Sequence, residues 1–205
     1  YSSAASDVYK RQVYGELLTG NGWSHGSEFF IKKTKGKFRG FISYTLSKSM
    51  RQIDGINNNT PYPTNTDRRH SLTVTTNYDL TKKWDVNVNF VFATGNPVTF
   101  PQGRYVFDGK LIPYYGPRNA QRFPNYHRVD IGVNFYPSKP AKRKWENSWN
   151  FSIYNLYGRK NPYTITTGTR KVKGPDGNTV DTKIPITEQV ALFRLVPSIT
   201  WNFNF

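Results

Sequence analysis

The chain has 205 residues, of which 36% are apolar and 16% aromatic, with one Met, no Cys and a formal charge of +16. It is long enough for one domain with a core, but its apolar content is rich in rings, which favours strands over helices. Without Cys no disulfide framework exists, and no apolar run reaches the length of a spanning helix or a secretory signal, so a membrane role leaves only a barrel.

A basic chain attracts phosphate backbones whatever its fold, so nucleic acid has to be considered. The cations do not follow one helix or sheet face. They fall between apolar runs, at Lys32, Lys33, Lys35 and Lys37, at Lys82 and Lys83, at Lys139, Lys142, Arg143 and Lys144, and at Arg170, Lys171 and Lys173. There they read as rim charges that meet lipid phosphates or water, and no nucleic-acid partner is expected.

Residues 1–12 (YSSAASDVYKRQ) have no apolar period and are read as a non-native or disordered tail, similar to a translated adapter end. Residues 13–205 carry the pattern that follows. Weak two-residue alternation marks strands at Ser27–Thr34, Phe38–Lys48 and Arg69–Leu80, the last with Leu72, Val74, Thr76 and Tyr78 on one face. Trp84–Ala93 alternates cleanly, with Trp84, Val86, Val88, Phe90 and Phe92 against Asp85, Asn87, Asn89, Val91 and Ala93. In Asn125–Tyr136, Val129, Ile131, Val133 and Phe135 oppose Arg128, Asp130, Gly132, Asn134 and Tyr136. Glu146–Tyr157 carries Trp149, Phe151 and Ile153 on one face. In Leu192–Phe205, Phe193, Leu195, Pro197, Ile199, Trp201, Phe203 and Phe205 share a face.

These seven strands are longer than those of most soluble sandwiches and match the roughly nine to eleven residues of a tilted membrane strand. Their connections alternate: Lys35–Lys37, Thr81–Lys83 and Pro137–Trp145 are short, while Ser49–Asp67, Thr94–Pro124 and Gly158–Val190 are long. The expected fold is therefore all-β, a fragment of an antiparallel transmembrane β-barrel with short periplasmic turns and long extracellular loops. Strand parity points the same way, because the last strand ends on the periplasmic side and an even count then requires at least one strand upstream. Arg128, Asp130 and Arg194 fix the inward register of their strands, since a charge facing lipid near the midplane costs roughly 2 to 4 kcal/mol.

Candidate functional residues follow from this frame. Arg104, Tyr105, Phe107, Tyr114, Tyr115, Arg118 and Arg122 combine rings and positive charge in one long outer loop, suited either to sugars and acidic chelates or to loop packing and lipopolysaccharide contact. Asp67, Arg68, Arg69 and His70 sit where a loop becomes a strand and read first as rim hydrogen bonding. His25, His70 and His127 lack metal-ligand spacing, so no metal is expected. The sequence Lys173-Gly174-Pro175-Asp176-Gly177-Asn178 reads as the tight turn of an outer hairpin. No nucleophile elbow, Ser/His/Asp set or inward carboxylate pair suggests an enzyme, and no cofactor is expected.

Several motifs from Gly20 to Phe205 resemble a known family when taken in order. Gly20-Asn21-Gly22-Trp23 is followed by Gly26-Ser27-Glu28-Phe29, then by Gly36-Lys37-Phe38-Arg39-Gly40-Phe41-Ile42-Ser43-Tyr44-Thr45-Leu46-Ser47. Asp67-Arg68-Arg69-His70, Tyr126-His127-Arg128-Val129-Asp130 and Asn150-Phe151-Ser152-Ile153-Tyr154-Asn155-Leu156-Tyr157-Gly158-Arg159-Lys160-Asn161-Pro162 come next. Pro197-Ser198-Ile199-Thr200-Trp201-Asn202-Phe203-Asn204-Phe205 closes the chain. In this order the chain resembles the C-terminal barrel of TonB-dependent outer-membrane receptors of the Bacteroidota type. The resemblance implies a location in the outer membrane of a Gram-negative bacterium, with lipid and lipopolysaccharide as neighbours. It also implies high-affinity uptake of a scarce nutrient (siderophore, corrinoid, glycan or peptide), energised through TonB, ExbB and ExbD by an upstream plug and TonB box. The terminal Trp201, Phe203 and Phe205 resemble the signal read by the barrel-assembly machinery and double as an aromatic girdle. A passive porin or adhesin barrel is the alternative, and a soluble basic nucleic-acid-binding β-protein a more distant one.

Overall fold

The computed structural model describes residues 18–137, 146–173 and 176–204. The expected tail at 1–12, Phe205, most of the turn Pro137–Trp145 and the Gly174-Pro175 pair lie outside the described residues.

Seven strands of nine residues or more, with one two-residue strand, build the principal sheet, and the connections carry further strands. The first part of the chain supplies β1 (Gly20–Lys33), β2 (Phe38–Ile53), the two-residue β3 (Tyr62–Pro63), β4 (His70–Asp79) and β5 (Trp84–Ala93). The next connection holds β6 (Pro97–Val98), β7 (Pro101–Phe107), β8 (Lys110–Tyr115) and β9 (Gln121–Arg122). Then follow β10 (Tyr126–Phe135), β11 (Glu146–Tyr154), β12 (Thr164–Lys173), β13 (Thr179–Val190) and β14 (Val196–Asn204). The principal sheet runs β1-β2-β4-β5-β10-β11-β14, with β3 added to β2. Each of these seven strands thus lies beside the next of the seven in sequence, an up-and-down order. Among the described residues β1 and β14 each have a single neighbour, so the sheet is open.

All seven expected strands are present, but several boundaries differ. β1 begins at Gly20 rather than Ser27 and β2 runs on to Ile53, because each finds a pairing partner where Gly and polar residues had suggested a loop. The last strand starts at Val196, so Arg194 lies ahead of it and does not set its register; instead the Arg194 carbonyl accepts a 3.0 Å hydrogen bond from Asn155 Nδ2. The long connections are not irregular. β7 and β8 form a hairpin around Asp108 and Gly109, both at positive φ (49° and 70°), which an Asp-Gly pair adopts readily. β12 pairs β13, as the turn signal at Lys173–Asn178 suggested. Asn178 donates to Asp176 through its backbone N (3.2 Å) and side-chain amide (2.8 Å), which holds that carboxyl below its ordinary value.

The chain divides into two compact units. One comprises described residues 18–26, 47–68 and 96–122; the other comprises 27–46, 69–95 and the described residues from 123 onward. Neither has an extensive buried apolar core among its described residues. Among the described residues the buried apolar side chains are Tyr62, Ala93 and Pro97, whereas a folded soluble chain of this size buries most of its Leu, Ile, Val and Phe.

Asn155 ends β11. It is 0% exposed with φ 55°, a left-handed conformation that Asn tolerates better than most residues. Its backbone N donates to Asp130 Oδ1 (2.9 Å), and its side-chain amide reaches the carbonyls of Arg159 (2.8 Å) and Arg194 (3.0 Å). Asn155→Ala should therefore lower unfolding stability by about 2 to 4 kcal/mol, from lost hydrogen bonds plus backbone strain. Asn155→Gly should recover only the backbone part. Urea titration followed by strand circular dichroism measures both, and equal stability of the wild type and the Ala variant would contradict the assignment.

Candidate functional site

The larger sheet-bearing unit presents two chemically opposite faces. Cross-strand register aligns the odd or even set of every strand, so the apolar alternates coincide. Ile42 lies opposite Val74, Val74 opposite Phe90, Phe90 opposite Val129, and the next row joins Thr76, Val88, Ile131 and Ile153. Phe151 then faces Ile199 on β14. No apolar layer covers this surface among the described residues: Ile199 is 69% exposed and Trp201 53%.

Aromatic rows bound the apolar band at both ends. Next to the short turns, Trp84, Phe135, Trp149 and Trp201 are direct cross-strand neighbours; Trp84 stacks on Phe135 at 4.4 Å and Trp149 on Trp201 at 5.9 Å. The long-connection end carries Phe29 stacked on Tyr44 (6.2 Å), with Phe92 directly opposite His127. Two histidines there each join a tyrosine hydroxyl through Nδ1, His70 with Tyr44 at 2.8 Å and His127 with Tyr157 at 2.7 Å. Burial, opposed by nearby Arg159, pushes the Tyr157 hydroxyl above its ordinary value. From Trp84 to Phe92 is eight residues, as from Phe135 to His127. That is roughly 27 Å along a strand.

The opposite face is a hydrogen-bonded polar lattice. Thr75 donates to Asn89 (2.9 Å), and Asn89 to Asp130 (3.4 Å). Asn150 donates to Asn134 (2.6 Å), which donates to Asp85 (2.7 Å). Arg39 pairs with Asp79, and Arg128 Nε lies 3.0 Å from Asp130 Oδ2 with its guanidinium 4.1 Å over the Tyr154 ring. The same-face pairing of Arg128 and Asp130 agrees with their two-residue spacing. Apart from the Arg128–Asp130 pair within β10, these bonds run across the strands, so they knit neighbours together on the face where no apolar packing does so.

The other unit is built from the connections. Its centre is Asp67, 1% exposed, which accepts from the Ser49 backbone N (2.6 Å) and forms an ion pair with Arg122; Arg122 also donates to the Asp67 carbonyl (2.8 Å). Beside it, Asn57, Asn58 and Asn59 follow one another at φ 52°, 51° and 60°. Asn57 clamps the backbone of Arg118, accepting from its N (2.7 Å) and donating to its carbonyl (3.3 Å). Asn119 Nδ2 donates to the Pro63 carbonyl (2.7 Å), and its backbone N to Thr99 (2.8 Å). These amides shape a polar cleft of about 520 Å³ lined by Arg51, Asn57, Tyr62, Thr64, Asn65, Thr99, Gly116, Arg118 and Asn119.

The loop residues singled out by sequence are not gathered into one site. On the β7–β8 hairpin, Tyr105 lies opposite Ile112 and Gly103 opposite Tyr114, which puts Tyr105, Phe107 and Tyr114 on one face; Arg104, opposite Pro113, lies on the other. Tyr105, Tyr114 and Tyr115 are exposed. Arg118 lines the cleft, and Arg122 is committed to Asp67. Arg51, Tyr62, Asn57 and Asn119 escaped sequence reading, although three successive asparagines before Thr60-Pro61 signal a left-handed turn. Trp201 and Phe203 lie on the apolar face of β14.

Compared with protein-family models, curated proteins and solved structures, the chain matches none.

Arg122→Ala strands a buried carboxylate and should cost about 3 to 5 kcal/mol of stability, with Arg122→Lys losing less. A chemical-denaturation midpoint checks this; an unchanged midpoint for the Ala variant would show that Asp67 does not depend on Arg122.

Proposed function

We propose that the seven long strands are part of the wall of a transmembrane β-barrel in an outer membrane. The apolar face would meet lipid and the polar lattice the barrel interior. The observation that carries the reading is the uncovered apolar face bounded at each end by an aromatic row. Membrane barrels carry such a band, about 25 Å tall between aromatic girdles; at a barrel tilt near 40° the ~27 Å of strand between the two rows would span about 20 Å, and rings projecting at both ends extend it. A water-exposed apolar surface spread over six or seven strands is, by contrast, an aggregation liability. Closure removes free strand edges within lipid, so further strands complete the wall. Short turns then lie on the periplasmic side and the long hairpin-bearing connections outside.

Within that class, the ordered motifs from Gly20 to Phe205 support a TonB-dependent receptor that imports a scarce nutrient, with the aromatic C-terminal strand offered to the barrel-assembly machinery. The polar lattice suits this role, because a rigid wall can face a plug or an aqueous path without leaving polar groups unpaired.

Charge placement tests the wall. Val88→Arg, at the middle of the apolar face, should destabilise the protein folded into phospholipid vesicles by about 2 to 4 kcal/mol, whereas Thr200→Arg on the polar face should change it by less than about 0.5 kcal/mol. Equal effects in urea titrations would remove the lipid-facing assignment. Transport has its own check: nutrient uptake by cells carrying the gene should stop when a protonophore collapses the inner-membrane gradient, and uptake that continues would favour a passive pore.

A further inference from the structure

We infer that the polar cleft of the connection-built unit binds an anionic, hydroxyl-rich small solute, a saccharide bearing a carboxylate or phosphate. Its lining contains two arginines, Arg51 and Arg118, and no acidic residue among the described residues. Arginine presents a planar fork of donors that matches carboxylate and phosphate oxygens in pairs. Beside them stand the Thr64 hydroxyl and the Asn65 amide, groups that both donate to and accept from sugar hydroxyls. The volume, about 520 Å³, lies in the range of small-molecule sites.

A second, independent observation points to a ligand. Tyr62 lines the cleft at 4% exposure, directly opposite Arg51 across the β2–β3 pair, and its buried hydroxyl has no hydrogen-bond partner among the described residues. Buried hydroxyls are satisfied in folded proteins, so this one is available to an incoming oxygen. The scaffold is set beforehand. Asn57 and Asn119 fix the Arg118–Asn119 backbone through side-chain amides, and Asn59 accepts from the Gly55 N (2.7 Å), so binding need not order the walls. The neighbouring acid, Asp67, is already held by Arg122 and does not line the cleft.

The inference names a solute class for the proposed importer and rests on that reading for its biological setting. Calorimetric titration of the detergent-solubilised protein with digalacturonate, glucose 1-phosphate and cellobiose tests it. At least one of the two anions should bind about tenfold or more tighter than cellobiose, and which of them does so tells carboxylate from phosphate. Arg51→Ala and Arg118→Ala should each weaken that binding about tenfold, while Lys110→Ala on the β7–β8 turn leaves it unchanged. Should an Ala variant lose its strand circular dichroism, Arg51→Gln or Arg118→Gln replaces it. Equal affinity for cellobiose, no binding of either anion, or full binding by folded Arg variants would overturn the inference. Lipid partition of the same sample separates two failures: a protein that partitions but does not bind refutes the cleft alone, and one that binds but does not partition refutes the membrane wall alone.

Discussion

The two-residue period of the extended chain is the constraint on which the rest depends. Backbone pairing satisfies the main-chain groups of each interior strand, and alternation then assigns every side chain to one of two faces. Because the registers keep β5, β10, β11 and β14 in phase, Trp84, Phe135, Trp149 and Trp201 form one row, and Asp85, Asn134, Asn150 and Thr200 form a row on the reverse. A slip of β10 by one residue against its neighbours would carry Arg128 and Asp130 to the apolar face and Val129 to the polar one. Register is therefore held by chemistry on both surfaces.

Polar side chains do the organising that a hydrophobic core does elsewhere. In the sheet, Asn and Asp bridge neighbouring strands; in the connections, Asp67 and Arg122, with Asn57 and Asn119, tie loops that have almost no apolar packing of their own. Hydrogen bonds of this kind are directional, so they fix geometry more than they add net stability. That suits a sheet whose apolar face no other described residues cover, and it leaves Arg51 and Arg118 lining a cleft with no internal counter-charge among the described residues.

Long strands are legible in the sequence because period two is a local property. Trp84–Ala93 is found with both ends correct, and the in-phase faces of Val129–Phe135 and Pro197–Phe203 follow from the same alternation. Their ends are less legible. Gly20-Asn21-Gly22 looks like a turn until β2 is known to continue beside it, and Arg194 falls outside its strand because Asn155 captures its carbonyl from a distant turn. The Asp108-Gly109 hairpin carries a local signal that loop length obscured. The cleft was hardest to see: Arg51, Tyr62 and Arg118 meet through the β2–β3 pair and an Asn57 clamp that spans 61 residues of sequence, and composition could only mark Arg118 as a basic loop residue.

The central claim is that the apolar face meets lipid, and depth-resolved quenching of tryptophan fluorescence tests it most directly. Of the five tryptophans, Trp84, Trp149 and Trp201 share one row at the end of the apolar band. With the protein in vesicles whose acyl chains are brominated at different depths, a variant keeping only these three should be quenched most by bromines near the headgroups. A Phe90→Trp reporter added to a background without other tryptophans should be quenched most by bromines near the bilayer centre. Emission that responds to aqueous iodide and to none of the brominated lipids would contradict the account.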